Sequence, residues 1–254
     1  MEGGALHGLV KRAAPPSSLK CGGMRSVALS LLLLLCTSAA APAFARPPVV
    51  VELFTAQGCS SCGKANALVS DLAQRDDVLA LTFAVDYWDY LGWPDTFAKP
   101  EFAERQRAYA HRLEVAEVYT PQIVIDGRAQ ISGVRPDRIE PLVDQAARRA
   151  MDPPDTQFLG TNRAAVGSGP VPRGGADVWM IRYDPREQEV TPKKGDNRGQ
   201  TLVQRNVVRE VVRLGAWRGK PTAYRLPVAH VEGLETVVIV QAAKGGKVIA
   251  VLAK

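Results

Sequence analysis

Cys59 and Cys62 are separated by two residues, shortly after an apolar run and at the head of a segment with helical spacing. Val49 to Phe54 is β-branched, apolar and too short for a helix, which predicts a buried strand. Thr55 to Gly58 reads as a turn. Behind the cysteines, Ala65, Leu68, Val69, Leu72 and Ala73 fall at helical spacing. Val78 to Val85 is a second apolar run after the Asp76-Asp77 break. Strand, helix and strand at this spacing predict a βαβ unit, with a parallel pair and a right-handed crossover.

The rest of the chain divides near position 150. Asp86 to Pro94 is an aromatic loop with Tyr87, Trp88, Tyr90 and Trp93, and Pro100 to Val115 reads as a helix with Phe102, Tyr109 and Leu113 inward. Thr120-Pro121 precedes a strand over Gln122 to Ile125, and Asp126-Gly127 is a tight hairpin turn into Ala129 to Ser132. Ile139, Leu142, Val143, Ala146, Ala147 and Ala150 make a third amphipathic helix, with Asp137 and Glu140 as a capping box. Met151-Asp152-Pro153-Pro154 breaks this pattern. Beyond it strands dominate, over Val178 to Tyr183, Asn206 to Leu214, Ala223 to Leu226, Thr236 to Ala242 and Lys247 to Leu252. Val207, Val208, Val211 and Val212 fit one helix face too, but their β-branching favours a strand.

The first 45 residues read as an address rather than as structure. Val27 to Leu35 is a short apolar run behind Lys20 and Arg25, and Ala43-Phe44-Ala45 is a small-x-small cleavage site. This is the pattern of a signal peptide, with Met24 an alternative start, and it is too short for a stable membrane span. Its removal takes four cations and one Glu from a net charge of +6, leaving +3. So mild a balance, with no basic run interleaved with aromatics, argues against a nucleic-acid partner. Cys21 and Cys36 leave with the leader. Cys59 and Cys62 are then the only thiols, in a periplasmic or secreted location where disulfides persist.

The pair carries the clearest chemistry. A Cys at a helix N-terminus has its thiolate stabilised by unpaired N–H groups and the helix dipole, so Cys59 is the expected nucleophile. Cys62, one turn on, is placed to resolve a mixed disulfide. A purely structural staple is a weaker reading, because so small a loop removes little chain entropy. Zinc lacks ligands, since only His111 and His230 remain, while copper(I) on two thiolates stays open. Pro121, before a strand, is either an ordinary trans-proline at a strand start or, by resemblance to thioredoxin-like proteins, a cis-proline beside the dithiol. Glu52, inside an apolar strand, is either a proton relay to Cys62 or a carboxylate satisfied by hydrogen bonds. Tyr87 and Trp88 line a substrate groove or form core beneath a loop.

Several runs are similar to one known family. Val51-Glu52-Leu53-Phe54-Thr55-Ala56-Gln57-Gly58-Cys59-Ser60-Ser61-Cys62, Val85 to Trp93, Tyr119-Thr120-Pro121-Gln122 and Asn206-Val207-Val208-Arg209 resemble the secreted bacterial proteins grouped as domain of unknown function 1223 (DUF1223). The resemblance implies membership of the thioredoxin-like superfamily, a β-rich C-terminal part and no established reaction. Relatives commonly place prolines and an Asp after the second Cys, where this chain has Gly63-Lys64-Ala65-Asn66.

The expected fold is thus an α/β thioredoxin-like domain over residues 46–150, followed by a β-rich sandwich or barrel-like domain over 151–254. The expected function is thiol–disulfide exchange on protein thiols or disulfides, together with a redox partner and without a cofactor or metal. Cys59, Cys62, Glu52 and Pro121 are the expected catalytic residues, and Thr120, Tyr87 and Trp88 the substrate contacts. The alternative is a non-catalytic envelope module that binds copper(I) or a protein partner. No integral membrane anchor is expected once the leader is gone.

Overall fold

A computed structural model describes residues 46–253. The expected signal peptide, with Cys21 and Cys36, lies outside them. The elements run β1 (Val49–Thr55), α1 (Cys62–Leu72), β2 (Val78–Ala84), α2 (Pro100–Arg112), β3 (Gln122–Ile125), β4 (Ala129–Ser132) and α3 (Pro136–Ala147). There follow β5 (Thr156–Phe158), β6 (Arg163–Val166), β7 (Ala176–Asp184), β8 (Gln188–Val190), β9 (Leu202–Gln204), β10 (Val207–Trp217), β11 (Thr222–Arg225), β12 (Glu235–Ala242) and β13 (Val248–Leu252).

The βαβ reading of the first segment agrees with the parallel pairing of β1 and β2, in register from Val49 against Val78 to Thr55 against Ala84. Every residue of both strands is buried, as a parallel pair covered on two faces requires. The β3–β4 hairpin turns at Asp126 and Gly127, both at positive φ. That geometry suits an Asp-Gly pair. A Cβ at Gly127 would also lie 2.4 Å from the Gly246 carbonyl oxygen, so only glycine fits there. Helix α3 starts differently from expectation. Arg135 precedes its first turn without a side-chain cap, and Pro136 occupies the first position. Asp137 therefore lies inside the first turn rather than at the N-cap, and the Asp137–Glu140 box does not form.

The expectation of a thioredoxin-like α/β domain followed by a separate β domain is overturned. The protein is mostly β, built on one mixed eight-stranded sheet in the order β13-β12-β7-β10-β2-β1-β3-β4, with three α-helices among the described residues. The join is β10, which runs parallel to β2 at Val207 against Thr82 and antiparallel to β7 along its whole length. Thr82 N donates to the Asn206 carbonyl (3.0 Å), Thr82 Oγ1 to the Arg205 carbonyl (2.8 Å), and Asn206 Nδ2 to the Ala80 carbonyl (2.8 Å). Thr82 and Asn206 thereby satisfy the outer edge of β2, which would otherwise need its own cover. Strands assigned by sequence to a second domain therefore complete the first one's sheet.

Alternation along the strands sorts the core. One face carries Val50, Phe54, Phe83, Ile181, Val208, Val237 and Ile239 with Phe102 and Tyr109 of α2. The opposite face is divided. Val51, Leu53 and Ile123 pack on α1 and α3, whereas Val178, Met180, Val238 and Val240 pack on the small β11-β6-β5 sheet. Among the described residues no helix is long and apolar enough to cross a membrane.

Candidate functional site

Cys59 and Cys62 are joined as a disulfide beyond the carboxyl end of β1. They are the only cysteines among the described residues. Helix α1 begins at Cys62, with Ser61 before it, so Cys59 sits in the preceding turn rather than in the helix. Its N–H donates to the Ala56 carbonyl (3.1 Å) and its carbonyl accepts the Cys62 N–H (3.1 Å). The dipole argument therefore applies more directly to Cys62. The Ser61 hydroxyl is 3.5 Å from Cys59 Sγ, a contact within which it can donate to a thiolate. Ser60 and Ser61 are exposed, yet Cys59 and Cys62 are buried.

A distant part of the chain packs on this turn. The connection between β8 and β9 lies over the turn, and Asn197 at its tip is 1% exposed. Its Nδ2 donates to the carbonyls of Gln57 (2.9 Å) and Cys59 (2.8 Å). Leu202 of β9 approaches Gly63, and Lys194 and Gly195 approach Gly92 and Leu91. Nothing local in the sequence marks Asn197, because its partners lie about 140 positions away.

The aromatic loop forms the other wall. Trp93 Nε1 donates to Gln57 Oε1 (2.8 Å), and Gln57 N donates to Asp95 Oδ2 (2.7 Å). Burial, opposed by the N–H groups of Gln57 and Phe97, pushes the Asp95 carboxyl up to about 6. Trp88 Nε1 donates to Thr120 Oγ1 (2.7 Å), and the Trp88 ring stacks on the exposed Tyr90. The Tyr87 hydroxyl donates to Gln106 Oε1 (3.1 Å), and burial pushes its phenol up to about 12. The Thr120–Pro121 bond is cis. Pro121 lies against α1 at Gly133, where a Cβ would come within 2.9 Å of both the Pro121 and the Ala65 Cβ atoms. Thr120, Trp88 and the cysteine turn are thus joined through Trp88, whose Cβ is the nearest neighbour of Gly58.

A protein-family profile described as "Protein of unknown function (DUF1223)" matches residues 50–241, which spans the disulfide, the aromatic loop and the joining strand β10. The chain belongs to the DUF1223 family. Among solved structures, this DUF1223 chain is 32% identical to protein AGR_C_4864 from Agrobacterium tumefaciens, with a TM-score of 0.65 over 80% of this chain and 92% of that one. HBP35 of Porphyromonas gingivalis is 10% identical, with a TM-score of 0.53 over 82% of this chain and 74% of that one, a likeness of fold alone. No curated protein matches.

Glu52 of this DUF1223 chain sits on the α2 face of β1, fully buried. Arg105 Nε and Nη2 donate to its two carboxylate oxygens (2.6 and 2.9 Å), and the Tyr109 hydroxyl donates to Oε1 (2.5 Å). Gln241 of β12 donates to the Tyr109 oxygen (2.9 Å), and the Arg105 guanidinium is 5.6 Å from the centre of the Trp179 ring on β7. Of the two sequence readings, this bonding supports a satisfied carboxylate. Both oxygens are engaged by α2, so a relay to Cys62 would have to break a bidentate buried pair. Arg105 escaped sequence reading because a lone Arg in an amphipathic helix looks like its solvated face. Among the described residues, no group of three or more His, Cys, Asp or Glu is placed to hold a metal ion.

Proposed function

We propose that this protein exchanges thiols and disulfides with other proteins through Cys59 and Cys62. The observation that carries the reading is the disulfide itself, closed between the two cysteines three residues apart. Closing so short a ring removes only about 2 kcal/mol of unfolded-chain entropy by the loop-closure relation, against about 4.7 for a 100-residue loop. As a staple it contributes little; as a reversible couple it needs a partner and an opening that exposes the buried Cys59 and Cys62. In the oxidising direction, a substrate thiolate attacks Cys59 Sγ, the S–S bond breaks, and Cys62 leaves as a thiolate. A second substrate thiol then displaces Cys59. The substrate gains a disulfide and loses two protons and two electrons, which reside on the reduced Cys59 and Cys62. The reducing direction is the reverse, with Cys59 attacking and Cys62 resolving.

Ser61 supports this assignment, because its hydroxyl can stabilise a Cys59 thiolate. In this reading Thr120, Trp88 and Tyr87 contact the approaching peptide, a role supported by the Trp88 link between Thr120 and Gly58, and Pro121 has no N–H to compete for it. Such chemistry fits the exported, oxidising location implied by the leader sequence.

The test uses a dithiol peptide and its disulfide form. Oxidised protein should convert the dithiol one for one, or reduced protein the disulfide. Cys59→Ser should abolish both, and Cys62→Ser should trap a mixed disulfide at Cys59. Neither turnover nor a trapped adduct would end the proposal.

A further inference from the structure

At the far end of the sheet from the disulfide, four turns enclose a cleft of about 780 Å³. They are the end of α2, the β3–β4 turn, the loop before β7 and the β12–β13 turn. Their junction is tight: the Gly127 and Gly245 positions lie against Gly246 and Ala108, and Gln241 Nε2 donates to the Gly246 carbonyl (2.8 Å). Arg112, Arg128, Arg173, Lys244 and Lys247 line this cleft against a single carboxylate, Glu114.

None of the five cations forms an ion pair or a side-chain hydrogen bond among the described residues. The Nε of Arg128 is buried without a partner. Burial, and then the charge of Arg149, hold that guanidinium below its ordinary value. The nearby carboxylate of Asp126 is turned inward, where Oδ1 accepts the Val50 N–H (2.9 Å). Some arginines elsewhere find acids, as Arg105 does in Glu52, Arg182 in Glu210 and Arg213 in Asp177, but the cleft offers its five cations only Glu114. Like charges gathered within a Debye length, about 10 Å at 0.1 M salt, repel one another unless an anion joins them.

We propose that this cleft binds a small, multiply phosphorylated anion. The size fits, since small-molecule sites span roughly 300–1,000 Å³. So does the charge. A phosphate group carries about −1.5 to −2 at pH 7 against −1 for a carboxylate, so for the same number of groups a phosphorylated anion meets more of the charge of five cations less one carboxylate. The lining lacks aromatic side chains on which a large apolar body would rest. Arg128 and Arg173 supply planar forks for phosphate oxygens, and the lysines supply mobile point charges. The proposal is independent of the redox reading, because the two sites occupy opposite ends of β1.

Inorganic tripolyphosphate, with citrate as the carboxylate comparison, tests it by calorimetry on the purified protein at low salt. One tripolyphosphate per chain should bind, at least tenfold more tightly than citrate. The pair Arg128→Gln and Lys247→Gln should weaken it at least tenfold. Hydrogen exchange on the unaltered protein should show tripolyphosphate protecting the 112–114, 127–128 and 243–247 segments, whether or not the double variant folds. Citrate binding equally well would overturn the phosphate assignment. Absence of saturable binding, or protection elsewhere, would overturn the site.

Discussion

Asp95 is the residue whose behaviour follows least from its type. Most aspartates in an aromatic loop are solvated, but this one is 8% exposed and accepts the Gln57 and Phe97 N–H groups. Burial lifts its carboxyl from the ordinary 3.8 to about 6. Between those values the folded chain holds a proton that the unfolded chain has released. Stability from this group is therefore complete below about pH 4 and is lost as pH rises through about 6. Asp126, also raised by burial, adds in the same direction, whereas Asp77 and Asp184, lowered by their arginines, act below 3.8. Denaturant unfolding of the protein and of Asp95→Asn, at intervals from pH 4 to 8, isolates the contribution. The variant should gain on the parent by on the order of 2–3 kcal/mol across that window. A difference independent of pH would show that Asp95 titrates normally. In the sequence, Asp95 stands just past the aromatic loop as an ordinary acid, since the shift comes from burial that only the fold creates, against the opposing N–H groups of Gln57 and Phe97. The Cys59–Cys62 pairing and the cis Thr120–Pro121 bond were legible because each involves residues adjacent or nearly adjacent in the chain.

Among the elements, legibility followed length and locality. β1, β2 and α1 each carry an apolar run long enough to show its period, and Asp126-Gly127 names its own turn. β8 and β9 are three residues each, with polar Gln188, Glu189 and Gln204, so no period develops. Yet this hairpin packs on the cysteine turn, where Asn197 is bonded to the Gln57 and Cys59 carbonyls. Asn197→Ala removes two hydrogen bonds, each of about 1 kcal/mol net. At 1.4 kcal/mol for each factor of ten, hairpin opening should increase by about 10–30-fold. Reduction of the disulfide by a small phosphine should accelerate accordingly, with faster amide exchange confined to residues 191–201. A rate equal to the parent's would show that the hairpin does not control access to the sulfurs.

The whole molecule differs most from its sequence reading, because pairing between distant strands leaves no local trace. The Pro153-Pro154 break and the change to strand-rich sequence mark a real alteration of pattern, but β10 crosses back to β2 and makes one sheet of both parts. The buried Glu52–Arg105–Tyr109 network likewise extends to Gln241 on β12 and Trp179 on β7. A fragment of residues 46–150 would therefore lose more than a neighbour. Leu81, Phe83, Phe102 and Tyr109, all buried beside Ile181, Val208, Val237 and Ile239, would lose part of their cover. Fully exposing a large apolar side chain costs about 1.5–3 kcal/mol, and domain stabilities are only about 5–15 kcal/mol. Partial exposure of four such residues, an open β2 edge and a broken polar network together consume that margin. The chain from residue 46 to 254 should unfold in a single transition, with fluorescence and circular dichroism coincident. The 46–150 fragment should show no cooperative transition and poor amide dispersion. A fragment that melts cooperatively, or a longer chain that melts in two separable steps, would mean that the first strands and helices hold their fold without β7, β10 and β12.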